Sequence, residues 1–239
     1  MNAAALLGEL FPDGHAVRIG GDLITGSAQV GGTAIAVIGT ANSAPIGIEL
    51  ACALAGAVLE VVRTQPGRPI LLLVDTEGQR LRRRDELLGI NAYIAHLAKC
   101  VELARRRGHP VLSLVYHRAV SGGYIGAGMM ADACYALADA EISVMNLPAM
   151  ARVTKIALER LQELARSSPV FAPGVENYLA MGALDGLWRQ DLAATLASAL
   201  IAAPADRAAG DRRRERGAGR GGRPAALDVA RRVRHDPLG

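Results

Sequence analysis

Pro69-Ile70-Leu71-Leu72-Leu73-Val74-Asp75-Thr76-Glu77-Gly78-Gln79 is the stretch that decides the fold. Its five consecutive apolar residues, bounded by a proline and an aspartate, leave no polar face for water. The run is therefore predicted to be an interior strand covered on both sides, as in a parallel sheet flanked by helices. Val111 to Tyr116 repeats the pattern. Thr76 to Gln79 then leave the carboxyl end of the strand, where open α/β sheets gather their ligands.

Working outward, Ile46 to Arg63 places Leu50, Leu54, Val58 and Val61 at helical spacing, and Gln65-Pro66-Gly67 ends the helix. A second helix is predicted from Asp85 to Arg107 on Leu87, Ile90, Ile94, Leu97, Val101 and Ala104, stopped by Gly108. The strand, helix, strand, helix order predicts a parallel sheet. Ahead of it, residues 16–19, 23–30 and 33–40 are β-compatible runs separated by Gly20-Gly21 and Gly31-Gly32, which predicts antiparallel strands with tight turns. Beyond it, residues 134–137 and 142–145 are short strands, 124–131, 156–165, 175–181 and 190–203 are helical, and 182–187 is an extended turn. Pro204 opens a stretch rich in Arg, Gly, Ala and Asp. We set a boundary near residue 205, dividing a domain of residues 1–205 from an Arg/Gly-rich tail, 206–239, in which Leu227, Val229 and Val233 suit a short helix.

The chain has 239 residues, 51% of them apolar and 3% aromatic. At this length roughly 70–75% of the unfolded surface is buried on folding, enough for a core without staples. Cys52, Cys100 and Cys134 are odd in number and lack C-x-x-C spacing, so neither a disulfide framework nor a zinc site is indicated and a cytoplasmic setting is expected. Mean hydropathy is +0.20, but the apolar stretches 51–62 and 193–203 are too short to span a bilayer, and Met1 to Leu10 lacks the basic start of a secretory signal. Net charge is +4. Basic residues cluster at 82–84, 105–107 and 212–216, and with few aromatics to stack on bases they read as solvated helix faces rather than a nucleic-acid surface.

Ser121-Gly122-Gly123-Tyr124-Ile125-Gly126-Ala127-Gly128 joins a buried strand to a helix. Amides at a helix start have no intrahelical partner, and glycines let a ligand approach them, so Gly122, Gly123 and Tyr124 are candidate oxyanion donors. Gly78, in the loop after the first buried strand, is a candidate second donor. Close helix packing is the alternative role of Gly122, Gly126 and Gly128. Neither G-x-G-x-x-G nor the P-loop pattern occurs. Ala119-Val120-Ser121-Gly122-Gly123 falls one residue short of the nucleophile elbow G-x-S-x-G. The possible bases His96, His109 and His117 precede it, and only His235 follows in the hydrolase order. Glu77 is a candidate for proton transfer or plain solvation.

The run 69–79 with its Asp-Thr-x-Gly core, the Ser-Gly-Gly turn at 121–123 and the strand pair ending in Asn146-Leu147-Pro148 resemble the carboxyltransferase branch of the crotonase superfamily. Within it the chain is similar to the gamma subunits of biotin-independent malonate decarboxylases, from about Ile19 to about Trp188. The resemblance implies an α/β fold with a crotonase-like core of repeated ββα units and C-terminal helices. It also implies a homologous beta subunit that shares one active site, and an acyl carrier protein whose phosphopantetheine-type arm presents malonyl as a thioester. This chain itself would hold no covalent cofactor and no metal. Decarboxylation would rest on the amides of Gly78, Gly122, Gly123 and Tyr124, with Glu77, Gln79 and Ser121 in contact with substrate. Glu77 stands where related carboxyltransferases commonly have proline, and Asn146-Leu147-Pro148 where they often have Ser-Pro-Glu, which suits the biotin-free relatives. Other readings are a biotin-dependent carboxyltransferase or other crotonase-type enzyme, a noncatalytic scaffold subunit, and a serine hydrolase.

Overall fold

The structure, a computed structural model, describes residues 1–167, 173–222 and 224–235. It opens with a helix that the sequence reading does not contain. Asn2 caps α1 (Ala3–Leu10) by accepting from Ala5 N at 2.9 Å, and Leu6, Leu7 and Leu10 turn into the core. The expected meander follows as β1 (Arg18–Gly20), β2 (Leu23–Val30) and β3 (Thr33–Thr40), paired antiparallel. After β4 (Pro45–Ile46) comes α2 (Ile48–Thr64), which buries Ala51, Leu54, Ala55, Val58 and Val61.

The decisive run forms β5 (Ile70–Thr76), buried along its whole length, and Gly78–Gln79 forms β6, a short parallel partner of β4. The single helix expected over 85–107 is two: α3 (Arg83–Leu87) and α4 (Ile90–Arg106), parted at Gly89, whose φ of +76° is left-handed. The apolar spacing continues through that break, yet Leu87 is 76% exposed because it lies before it. β7 (Val111–Val120) runs four residues beyond the expected end, and α5 (Ser121–Ala127) starts directly after it rather than at Tyr124.

β8 (Ala133–Leu137) and β9 (Glu141–Ser143) are the next strands. An unexpected helix, α6 (Leu147–Thr154), is capped by Asn146 and carries Pro148 in its first turn; α7 (Leu158–Ser167) and α8 (Val175–Ala180) follow. The segment expected as an extended turn contains a strand, β10 (Gly186–Trp188), which pairs parallel with β8. α9 (Leu192–Ala209) runs past Pro204, so the change of composition near residue 205 falls inside a helix. α10 (Arg213–Gly219) and α11 (Pro224–His235) complete the described chain.

The sheet order is β1-β2-β3-β5-β7-β8-β10, parallel from β3 onward, with β9 pairing the far end of β7. β5 and β7 are thus central, and each fully buried Leu or Val side chain there contributes about 1.5–3 kcal/mol. No helix among the described residues is long and apolar enough to cross a membrane.

In two of the three basic clusters Arg106, Arg107, Arg212 and Arg214 are exposed as expected, but one or two arginines turn inward to partners. Arg105 bonds Asp132 and Glu102, each at 2.7 Å. Arg213 Nη2 donates to Met129 O at 2.5 Å, Arg216 pairs with Asp185 at 2.6 Å, and Arg220 donates to the carbonyls of Leu179, Leu184 and Asp185. Arg82, Arg83 and Arg84 remain exposed, as expected.

Candidate active site

Three parallel strands end together, and Asp75 ties them. It is 4% exposed. Its Oδ2 accepts from Ser43 N at 2.8 Å, and its Oδ1 accepts from Ser43 Oγ and His117 Nδ1, each at 3.1 Å, and from Arg118 N at 3.3 Å. The carboxylate thereby joins the turn after β3 to the end of β7. Thr40 Oγ1 accepts from Asp75 N, and Tyr116 donates its hydroxyl to Thr40 O at 2.8 Å. Burial pushes the Tyr116 phenol up, and the Asp75 charge adds to the push, so it stays a donor.

On this platform the loop after β5 folds back. Thr76 Oγ1 donates to Ala44 O at 2.6 Å and accepts from Gly78 N at 2.9 Å. Glu77 N goes to Ser43 O and Arg80 N to Ile46 O. The Gly78 amide is thus taken by its neighbour's hydroxyl, which corrects the expectation that it is a free second donor. Gln79 does not offer its side-chain amide freely either, since Nε2 donates to Glu86 Oε1 at 2.7 Å. Glu77 is exposed and accepts from Arg118 Nη1 at 3.0 Å; Arg118 also reaches Glu141 at 3.3 Å.

Across from this loop, α5 begins. Ser121 has φ +51°, a left-handed value uncommon for a non-glycine residue, at the sharp turn from β7 into α5. Gly123 then rests directly on Gly78, and Gly78, at φ +95°, leaves no room for a Cβ, which would stand 2.8 Å from Val120 O. With α5 starting at Ser121, the amides of Gly122 and Gly123 lie in its first turn, where the helix supplies no partner; Tyr124 stands four residues after the cap Val120, the position of the first intrahelical bond, which corrects the expectation that its amide is a free donor. The Tyr124 side chain points inward, its ring tilted against Tyr178 with centroids 6.5 Å apart.

The family model described as malonate decarboxylase gamma subunit matches residues 41–237. The chain belongs to that family. The match includes the Arg-rich tail, so the likeness extends well past Trp188. A curated relative from Malonomonas rubra, the malonyl-S-ACP:biotin-protein carboxyltransferase MADD, is 31% identical over 190 residues, 71% of this chain, which spans only 65% of that relative's length. Among solved structures, a Pseudomonas malonate decarboxylase hetero-tetramer in complex with coenzyme A superposes with a TM-score of 0.79 at 27% identity, covering 96% of this chain and 97% of the other. The transcarboxylase 12S core shares the fold, with a TM-score of 0.72 at 20% identity, over 85% of this chain and 42% of that one. The fold is the crotonase-like α/β fold of these carboxyltransferases.

In this gamma subunit the serine-hydrolase reading finds no geometry. Among the described residues no hydrogen bond joins Ser121 to a histidine: His117 Nδ1 faces Asp75 and Ser43 Oγ (3.1 Å), His109 Nδ1 bonds Arg68 O, and His96 lies 3.6 Å from Cys100. Ser43, His117 and Asp75 do not form a triad either, because serine and aspartate share one ring nitrogen instead of flanking the imidazole. Sequence reasoning identified the two glycine loops but missed Ser43 and the role of Asp75. The available signal was the polar Asn42-Ser43 pair before Ala44-Pro45, at the carboxyl end of a third parallel strand.

Proposed function

We propose that this gamma subunit, paired with a homologous beta subunit, decarboxylates a malonyl thioester carried on the phosphopantetheine-type arm of an acyl carrier protein. The observation that carries the reading is the approach of Gly123 to Gly78, which brings the start of α5 against the loop after β5 with no side chain between. Loss of carbon dioxide leaves an enolate, whose charge sits on the thioester oxygen. The amides of Gly122 and Gly123 are the groups we assign to hold it. A preorganised donor of this kind is worth about 100 to 1000-fold in rate. Ser121 and Glu77 line the approach, and protonation of the resulting carbon completes the acetyl thioester.

A shared site agrees with the exposed apolar side chains of Leu81, Leu87, Leu88, Ile125 and Val144, which one chain alone leaves in water. A cytoplasmic setting belongs to the same proposal, supported by three cysteines without disulfide spacing. The test is decarboxylation of malonyl carrier protein with and without the beta subunit; full activity from this chain alone would contradict the shared site.

The relative MADD favours a second reading, in which the carboxyl group passes to a biotin protein instead of leaving as carbon dioxide. Carbon dioxide release unaffected by avidin supports the first reading; dependence on an added biotin protein supports the second.

A further inference from the structure

We infer that Arg213 is a positioning residue for the glycine turn: from α10 its guanidinium holds the exit turn that follows α5 and so fixes the amides at the other end of that helix. The inference rests on the function proposed above. α5 has seven residues, about 10 Å of helix, and its exit is a tight turn in which Gly128 N and Met129 N both donate to Tyr124 O. The next carbonyls are those Arg213 takes: Nη2 donates to Met129 O at 2.5 Å and reaches Ala131 O at 3.4 Å. A cation at a helix carboxyl end also complements its dipole.

The arm that carries this arginine has little freedom to slide. A Cβ on Gly182 would fall 2.1 Å from Arg213 O, one on Gly217 2.3 Å from Met181 O, and one on Gly222 2.0 Å from Ala180 O. Glycines therefore seat α10 backbone to backbone against the turn after α8. Arg216 adds its pair with Asp185, whose Oδ2 accepts from Cys134 N at 2.8 Å, at the start of the strand that follows α5. Burial pushes the Tyr124 phenol and the Cys134 thiol up, while the Arg213 charge opposes the push on both, as expected of a cation lodged behind α5. The low-complexity composition of the tail thus encodes a brace, with glycines for contact and arginines for carbonyls.

Small displacements of catalytic donors cost about 100-fold per ångström. In the reconstituted complex with the beta subunit, Arg213→Gln is expected to lower kcat at least about tenfold with KM for malonyl carrier protein unchanged, and to speed amide exchange over residues 121–131. Arg213→Lys, which keeps the charge, should recover part of both. Arg220→Gln is the control for a merely structural role: Arg220 donates to Leu179, Leu184 and Asp185 and does not touch the α5 exit. It should lower Tm while leaving kcat within about twofold. Equal kcat loss in the two glutamine variants, or wild-type kcat and exchange in Arg213→Gln, would overturn the inference. A wild-type complex without decarboxylase activity would instead overturn the proposed function, and exchange over 121–131 would then decide the brace by itself.

Discussion

Gly123 lies against Gly78 so closely that a Cβ built on it would stand 2.8 Å from Gly78 Cα and 2.9 Å from its carbonyl carbon. Backbone cannot rotate away as a side chain can, so even Gly123→Ala must part the two loops. We expect turnover to fall at least about 100-fold, the loss of one preorganised donor, while the complex with the beta subunit still elutes intact. Gly122 makes the comparison, since a Cβ there meets nothing within 4 Å. Gly122→Ala should keep or slightly raise stability, by up to about 1 kcal/mol. Normal turnover in Gly123→Ala would remove the amides from the mechanism, as would a scaffold role for this subunit.

Ser121 separates amide from nucleophile chemistry. Ser121→Ala should cost less than about tenfold in turnover, because its hydroxyl is not the attacking group. Ser121→Gly should stabilise the chain by about 1 kcal/mol in a urea titration, since φ +51° is a left-handed value. A loss of several orders of magnitude, with an acyl adduct in the mass spectrum, would reinstate the serine.

Asp75→Asn tests the tie between the strand ends. The amide would turn an NH2 toward donors that now point at a carboxylate, so unfolding free energy should drop by about 3 kcal/mol. Chemical denaturation of the isolated chain measures it, and a change under 1 kcal/mol would show that Ser43 and Arg118 find other acceptors.

These residues also show what the sequence made legible. β5 and β7 were readable because an unbroken apolar run has one physical outcome, burial on both faces. The break at Gly89 was not, because apolar spacing continues across it and only the backbone turn sends Leu87 outward. α6 buries none of its residues, so it left no hydrophobic pattern to find. Gly78 and Gly123 were found by their place at strand ends, whereas the loss of the Gly78 amide to Thr76 depends on a rotamer. Arg213 was out of reach for another reason: its acceptor Met129 is 84 residues away, and locally the tail carries only composition.

Alkaline pH should weaken the fold. Burial raises the pKa of Tyr116, Tyr124 and Tyr178. A group raised in the folded state contributes stability below its unfolded pKa, near 10 for tyrosine, and loses it as pH climbs toward the folded value. Denaturant midpoints should therefore hold level up to about pH 9 and fall beyond pH 10. Tyr116→Phe should flatten the fall, at the cost of about 1 kcal/mol at neutral pH for the lost bond to Thr40. A midpoint rising above pH 10 would contradict the sign.

The seating of α10 on the turn after α8 has a consequence for biosynthesis. Every strand of the sheet leaves the ribosome before Arg213 does, so the sheet can close while the exit of α5 still lacks its arginine. A chain cut just after α9, by premature termination or by a protease, would keep the whole sheet and the helix packed on it. It would enter complexes as a well-folded but slack subunit, and its damage would be invisible to any surveillance that inspects only exposed core.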